Sequence, residues 1–356
     1  MTARSSPKRV ALAVALLLVA GLAAELTARI DDYLRFGVPL LAAPSRESLI
    51  FRDSLTVRGT PEGRFEHFVL DSFGFLGPEI PLKPTPGCPR VMAIGASETF
   101  GFTEPDGKNY VAQLRDSLNA QSCFDVINAG IRGITGPNLI TFWERWGARF
   151  KPAFVVIYPT PNFYLDNEPP QPLRPAPPQR TGASSLLHSR FVDHVHSLVS
   201  LPTGLQTWRV RRAIRRATAG RPSDWFFQAA PPERLALFAH DLDSLVVEIA
   251  ATGATPVLAV SATRYGRALS SEDRNILTQW RYIMPRATEA AILAFERASA
   301  DVTRGIARSR HALTVDADSA MTGRGDEFAD SQHFTERGAG VLAGLVAHTI
   351  LRAGGR

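Results

Sequence analysis

Residues 91–101, VMAIGASETFG, decide how the rest of the chain is read. The apolar run Val91-Met92-Ala93-Ile94 is unbroken and stops at Gly95. A short continuous apolar run closed by turn residues is the pattern of a parallel strand buried on both faces. Ser97 then stands just past the carboxyl end of that strand, where ligand sites of open α/β sheets lie. A serine there presents its hydroxyl to a cleft and its backbone N–H to a developing oxyanion. The same serine also fits a helix N-cap, so its meaning depends on what the other strand ends carry.

The apolar pattern alternates from there on. It predicts strands at 90–94, 124–127, 154–158, 256–261 and 312–315. Helices are predicted at about 109–119, 137–150, 232–252, 272–308 and 335–351. Alternation of this kind argues for one parallel sheet with right-handed crossovers. It is interrupted over 159–230 by a Pro-rich stretch at 159–178 and by predicted helices at 186–201 and 208–219. Residues 31–87 hold only short alternating pieces, such as 55–57 and 68–70, and read as a lead-in that packs on the main domain.

Composition sets the outer bounds. The chain has 356 residues, 45% hydrophobic and 21% charged, which suits a packed core and excludes a disordered chain. No internal repeat is visible. At the N-terminus Arg4, Lys8 and Arg9 precede fifteen uncharged residues, 10–24. Positive charge ahead of an apolar run holds that end in the cytoplasm. The run is short of the roughly 20 residues of a bilayer span and matches a signal-peptide core. Yet Leu26, Ala28 and Ile30 continue it past Glu25. An uncleaved signal-anchor over 1–30 is favoured, with a cleaved secretory signal as the alternative; either way the remainder leaves the cytoplasm. The chain's two cysteines agree with an oxidising compartment. Cys88 lies three residues before Val91, and Cys123 three before Val126. On neighbouring parallel strands they sit at equal heights, within reach of a disulfide; two free buried thiols are the other reading.

The inserted segment has its own character. Val210, Ala213, Ile214 and Ala217 recur at helical spacing, and Arg209, Arg211, Arg212, Arg215 and Arg216 cover the rest. A basic amphipathic helix suits an anionic membrane surface or an acidic glycan, and it is equally an ordinary solvated face. No nucleic-acid motif accompanies it.

The chemistry-bearing residues lie at the strand ends. Asp330-Ser331-Gln332-His333 follows the last predicted strand. Serine nucleophiles need a base within reach and a carboxylate to orient that base. The second strand leads into Asn128-Ala129-Gly130, where a glycine offers a close backbone N–H. The third leads into Pro159-Thr160-Pro161-Asn162, where an asparagine amide offers a donor. Taken singly, each also fits a turn or a cap.

Together, in this order, GASETFG at 95–101, NAG at 128–130, PTPN at 159–162 and DSQH at 330–333 resemble the SGNH (GDSL-type) hydrolase family. The resemblance covers about residues 88–353, with 159–230 as an insertion. It implies a flavodoxin-like three-layer α/β/α sandwich needing no metal or organic cofactor. By position it implies Ser97 as nucleophile, His333 as base and Asp330 as its orienting carboxylate. Gly130 and Asn162 are implied as oxyanion donors. Two positions depart from the family pattern: Ala96 replaces the aspartate before the serine, and Thr160-Pro161-Asn162-Phe163 lacks the glycine and final aspartate of Gly-x-Asn-Asp. Phe163 and Tyr164 are expected to offer rings to a sugar face or acyl chain. The expected activity is that of an esterase or O-acyltransferase on acyl, chiefly acetyl, esters of envelope or exopolysaccharide carbohydrate. It would be anchored in a bacterial inner membrane and face the periplasm. A lipid or thioester hydrolase, and a non-catalytic carbohydrate-binding or assembly protein, are the competing expectations. The insertion, with Arg211, Arg212, Arg215 and Arg216, is expected to govern substrate choice.

Overall fold

The structure, a computed structural model, describes residues 7–41, 46–52, 56–165, 189–198 and 203–354. Most of the Pro-rich stretch and both ends of the helix expected at 186–201 lie outside these residues. Two short antiparallel pairs come first: β1 (Ile50–Arg52) with β2 (Val57–Gly59), and β3 (Arg64–Phe65) with β4 (Phe68–Val69). The main sheet follows, with β5 (Arg90–Gly95), β6 (Asp125–Gly130), β7 (Phe154–Tyr158), β8 (Thr255–Ala259) and β9 (Leu313–Val315). All its pairings are parallel and its order is β6-β5-β7-β8-β9. Numbered by chain position this is 2-1-3-4-5, the flavodoxin-like doubly wound order.

The described helices before the insertion are α1 (Pro7–Phe36), α2 (Ser97–Phe100), α3 (Tyr110–Asn119) and α4 (Gly136–Arg145). In the insertion are α5 (Arg190–Leu198) and α6 (Thr203–Thr218). Then come α7 (Pro232–Ala251), α8 (Ser271–Trp280), α9 (Glu289–Ser309), α10 (Ala317–Met321) and α11 (Glu336–Gly354). Successive strand residues face opposite sides. Met92, Ile94, Ile127, Val155, Ile157 and Leu258 join one core with residues of α4, α7 and α9. Val91, Ala93, Val126, Val156 and Val257 join another with residues of α3 and α11. Every residue of β5 is buried, as the unbroken apolar run requires.

Several boundaries differ from the sequence reading: β8, expected at 256–261, ends at Ala259, and α6, expected from 208, begins at Thr203. Strand β6 runs on to Gly130 because it keeps register with β5 as far as Gly95. The helix expected at 137–150 ends at Arg145, and a 3₁₀ turn, Gly147–Phe150, completes the connection. The helix expected at 272–308 is two helices, α8 and α9, parted at 281–288. Pro285 lies in that gap; it lacks an N–H and disfavours helix at the residue before it.

The lead-in covers the edge of the sheet: the Leu76 N–H donates to the Asn128 carbonyl on edge strand β6. Helix α1 continues to Phe36, past the expected end at residue 30, and is long and apolar enough to cross a membrane. Its far end holds α5. Glu25 accepts from the Ser189 hydroxyl and from the N–H groups of Arg190 and Phe191, acting as an N-cap supplied by another helix. Asp32 is buried and pairs with Arg190 at 2.8 Å.

Cys88 and Cys123 are joined in a disulfide with Cα atoms 4.9 Å apart. Their equal offset from Val91 and Val126, which are register partners, places them at one height. The bridge closes a separation of 35 residues. Replacing both cysteines by serine is therefore expected to cost about 3–4 kcal/mol. The measurement is urea unfolding of the two proteins, read as a lower midpoint for the variant.

Candidate active site

The carboxyl ends of β5 and β9 bring the proposed nucleophile and base to one edge of the sheet. Gly95 ends β5, and a Cβ there would lie 2.3 Å from Thr99 Oγ1 and 2.7 Å from the Tyr158 carbonyl. Only glycine permits that approach, so the chain turns at once into α2, whose first residue is Ser97. The base sits in a tight loop after β9, closed by antiparallel pairing of Phe328 with Phe334. Within it Asp330 Oδ1 accepts from the N–H groups of Gln332 and His333 at 3.0 and 2.9 Å. Asp330 Oδ2 lies 2.7 Å from His333 Nδ1. His333 Nε2 lies 2.8 Å from Ser97 Oγ.

Arg264 and Tyr265, beyond β8, clamp this loop. The Arg264 guanidinium donates to the carbonyls of Gly325 and Phe328, and its N–H donates to the Ser331 carbonyl. The Tyr265 hydroxyl meets Ser331 Oγ at 2.5 Å. None of these contacts is apparent from the DSQH motif, which specifies residue types and not what holds them.

The electrostatics select one tautomer. Burial alone would raise the Asp330 carboxyl, but hydrogen bonds from the His333 ring and the two backbone N–H groups hold it below its usual range. An ionised Asp330 accepts, so His333 Nδ1 carries the proton and Nε2 is left to accept from the Ser97 hydroxyl. Burial lowers the His333 ring, while the Asp330 hydrogen bond and the Glu98, Asp330 and Glu104 charges lift it above 6.5. Glu98 is buried beneath the site, accepts from the Thr160 hydroxyl at 3.2 Å, and is raised by its burial. Burial likewise pushes Glu104 and Glu296 up to about 7.

The oxyanion donors need one correction. The N–H of Gly130 donates to Asn128 Oδ1 at 3.0 Å and is not available to a substrate. A Cβ at Gly130 would lie 2.3 Å from the Phe100 nitrogen, so this glycine serves the packing of α2 on β6. Gly133, three residues on, lines the cavity in front of Ser97 and His333. It has φ +70°, a left-handed conformation that glycine adopts freely, and its N–H has no acceptor among the described residues. Asn162 is buried and lines the same cavity, with Nδ2 donating to Gln332 Oε1 and the Glu296 carboxyl beside its amide.

That cavity is about 210 Å³ and mostly apolar, walled by Phe102, Phe163, Trp280, Ile283 and Met284, with Arg132 and Gln332 at its edge. Phe163 therefore stands where the sequence reading expected it. Tyr164 does not: it is buried and donates to Asp241 Oδ2 at 2.6 Å in an apolar crevice behind the site. Phe163 lines both spaces. Trp280, Ile283 and Met284 carry no site signal in a pattern that predicts one continuous helix, which Pro285 parts in two. Among the described residues, no three His, Cys, Asp or Glu are gathered as for a metal ion.

Ser97, His333 and Asp330, at the ends of a 2-1-3-4-5 sheet, stand in the arrangement of a serine hydrolase. The chain is similar to GDSL-type hydrolases of known structure. One is the lipase/acylhydrolase from Enterococcus faecalis, 16% identical, covering 74% of this chain and 95% of that one, with a TM-score of 0.42. A second is the psychrotrophic esterase EstA from a Pseudoalteromonas species, 12% identical, with 75% and 99% covered and a TM-score of 0.43. A third is an acetyl-xylooligosaccharide esterase from Geobacillus, 17% identical, with 74% and 93% covered and a TM-score of 0.40. No protein-family model matches the sequence, and neither does any curated protein. The reading of the site rests on its own geometry.

The pH dependence follows from the His333 ring. A base must be neutral to accept a proton, so kcat/KM on a small ester is expected to rise with pH through an apparent pKa above 6.5. Asp330→Asn removes the main interaction that lifts the ring. It is expected to move that limb to lower pH while kcat falls by roughly 10²–10⁴-fold through loss of the productive tautomer. A pH–rate profile of both proteins checks this; an unmoved limb in the variant contradicts it.

Proposed function

We propose that this chain is a serine esterase or O-acyltransferase acting on short acyl esters, chiefly acetyl, of envelope or exopolysaccharide carbohydrate. The observation that carries the reading is the continuous chain from Ser97 Oγ through the His333 ring to Asp330. Ser97 Oγ attacks the acyl carbonyl while His333 Nε2 takes the hydroxyl proton, and Asp330 stabilises the imidazolium. The Gly133 N–H and Asn162 Nδ2 receive the oxyanion, with Gln332 giving up its hold on Asn162. The bond between the acyl carbon and the sugar oxygen breaks as His333 returns the proton to that oxygen, which leaves the acyl group on Ser97. Water or a second sugar hydroxyl, deprotonated by His333, then attacks that acyl group. The products are free acid or a new ester, and Ser97 regains its proton.

The size of the site, about 210 Å³, supports a short acyl group, and Phe163 lies between it and the apolar crevice that it also lines. Aromatic walls suit the apolar face of a sugar ring. The long apolar α1 and the Cys88–Cys123 bridge support an inner-membrane anchor with the hydrolase domain outside the cytoplasm. A lipid or thioester hydrolase is the second reading. It is favoured by α6, whose Arg209, Arg211, Arg212, Arg215 and Arg216 are all exposed and suit an anionic membrane surface or acidic glycan.

Full-length protein in detergent, assayed on p-nitrophenyl esters of increasing chain length, separates these readings. Acetyl is expected to be turned over faster than hexanoyl, and Ser97→Ala to abolish turnover of both. Asn162→Ala is expected to lower kcat by about 10²–10³-fold. Phe163→Ala joins the two spaces and should move the optimum to longer chains. A wild type that favours octanoyl would support the lipid reading. Turnover that survives Ser97→Ala would remove the case for this site.

A further inference from the structure

A second cavity, of about 290 Å³, opens between the lead-in and edge strand β6. The segment after α2 touches both cavities: Gly101 and Glu104 line this one, and Phe102 between them lines the catalytic one. Two side chains in its wall are incompletely bonded. Glu104 is 2% exposed. Its Oε2 accepts from the Thr103 N–H and hydroxyl at 3.0 and 3.3 Å, while Oε1 is buried with no hydrogen-bond partner among the described residues. His67 Nε2 is likewise buried without a hydrogen-bond partner among the described residues. A buried polar atom left unbonded is costly, and two of them in one cavity wall call for a partner from outside the chain.

The chemistry of the two groups narrows the partner. Burial pushes the Glu104 carboxyl up to about 7, so it is a donor in one form and an acceptor in the other. His67 Nε2 donates or accepts according to its tautomer. A hydroxyl meets either group in either state, because it donates and accepts at once; an ammonium only donates, and a carboxylate only accepts. Asp106 and Arg115, also in the wall, are of opposite sign and give no excess charge to select an ion. Phe68 and Leu76 supply apolar surface beside them. We propose that this cavity is an accessory sugar-binding site, which takes a neutral sugar unit through its hydroxyls, with Glu104 and His67 as the polar contacts. It holds a glycan by a unit other than the one whose ester meets Ser97. The site does not depend on the esterase chemistry, and its test needs no turnover.

Full-length protein, in a detergent without a sugar headgroup, is titrated by saturation-transfer NMR. The probes are the methyl glycosides of glucose, galactose, mannose and N-acetylglucosamine, with ethylammonium and acetate as ionic controls. At least one glycoside is expected to bind saturably and more tightly than either ion. His67→Leu and Glu104→Leu should each weaken that binding by about tenfold or more. Trp280→Ala, in the wall of the catalytic cavity, should leave it within about twofold. Circular dichroism shows which variants are folded, and either Leu variant, if folded, carries the test. Binding of no glycoside would mean that the cavity holds water alone and overturns the inference. So does binding that both folded Leu variants leave unmoved, or tighter binding of an ion. Binding that Trp280→Ala removes and the Leu variants spare would place the sugar in the catalytic cavity, and overturns the inference while leaving the esterase reading intact.

Discussion

A guanidinium with no solvent contact sits at the foot of the central strand. Arg90 opens β5 and is 1% exposed. It donates to the carbonyls of Pro81, Leu82 and Lys83 in the lead-in, to Phe150 ahead of β7, and to Asp125 at the start of β6. A charge taken out of water is costly unless it is paired and hydrogen-bonded, and these contacts meet both terminal nitrogens, with Nε lacking a partner among the described residues. They fix where three segments join β5. Seven residues on, just past the end of the same strand, stands Ser97. The base comes from a loop 236 positions later in the chain, and it meets the serine only because β5 lies inside the sheet with its neighbours in register.

How much of this was legible follows from the kind of signal each part carries. Buried parallel strands are continuous apolar runs, so β5, β7 and the alternation around them could be read directly. The glycine proposed to meet the oxyanion could not. Residues 128–133 read NAGIRG and hold two glycines. Choosing between them requires knowing that β6 extends to Gly130 and that α2 packs on it. The walls of the site were hidden for a different reason. The signal was present in Pro285, but the apolar pattern of α8 and α9 runs across it and reads as one helix. Arg132 and Gln332 carry no pattern at all, because a single polar residue on a turn acquires meaning only from what it faces.

The site concentrates polar groups that a core would ordinarily exclude. Glu98, Glu104 and Glu296 lie in or beside the core near the reacting atoms, and burial raises each of them. Held partly neutral, they add less negative charge than three free carboxylates would. His333 is thus lifted without being locked in its protonated form. The linkage to stability has opposite signs for the two paired groups. His333, raised, stabilises the fold at low pH and loses that contribution as pH rises through its folded pKa. Asp330, lowered, stabilises it above its unfolded pKa and loses that contribution as pH falls through the folded one. Between those limits the pair is ionised on the acid side of His333 and ready to act on the basic side.

The insertion links the two ends of the molecule. Glu25 and Asp32 lie just past the apolar stretch of α1, and they cap and pair with the start of α5. The next described helix, α6, packs on α8. Helix α8 ends at Trp280, and the turn beyond it supplies Ile283 and Met284 to the site. Contacts thus join α1 to α5 and, separately, α6 to α8 beside the wall of the catalytic cavity. The sheet sets where Ser97 and His333 meet. The insertion is fastened at α5 to the part of the chain best suited to a bilayer. The reacting groups are thus held by the sheet, while the helix that could cross a membrane is held by a separate part of the chain.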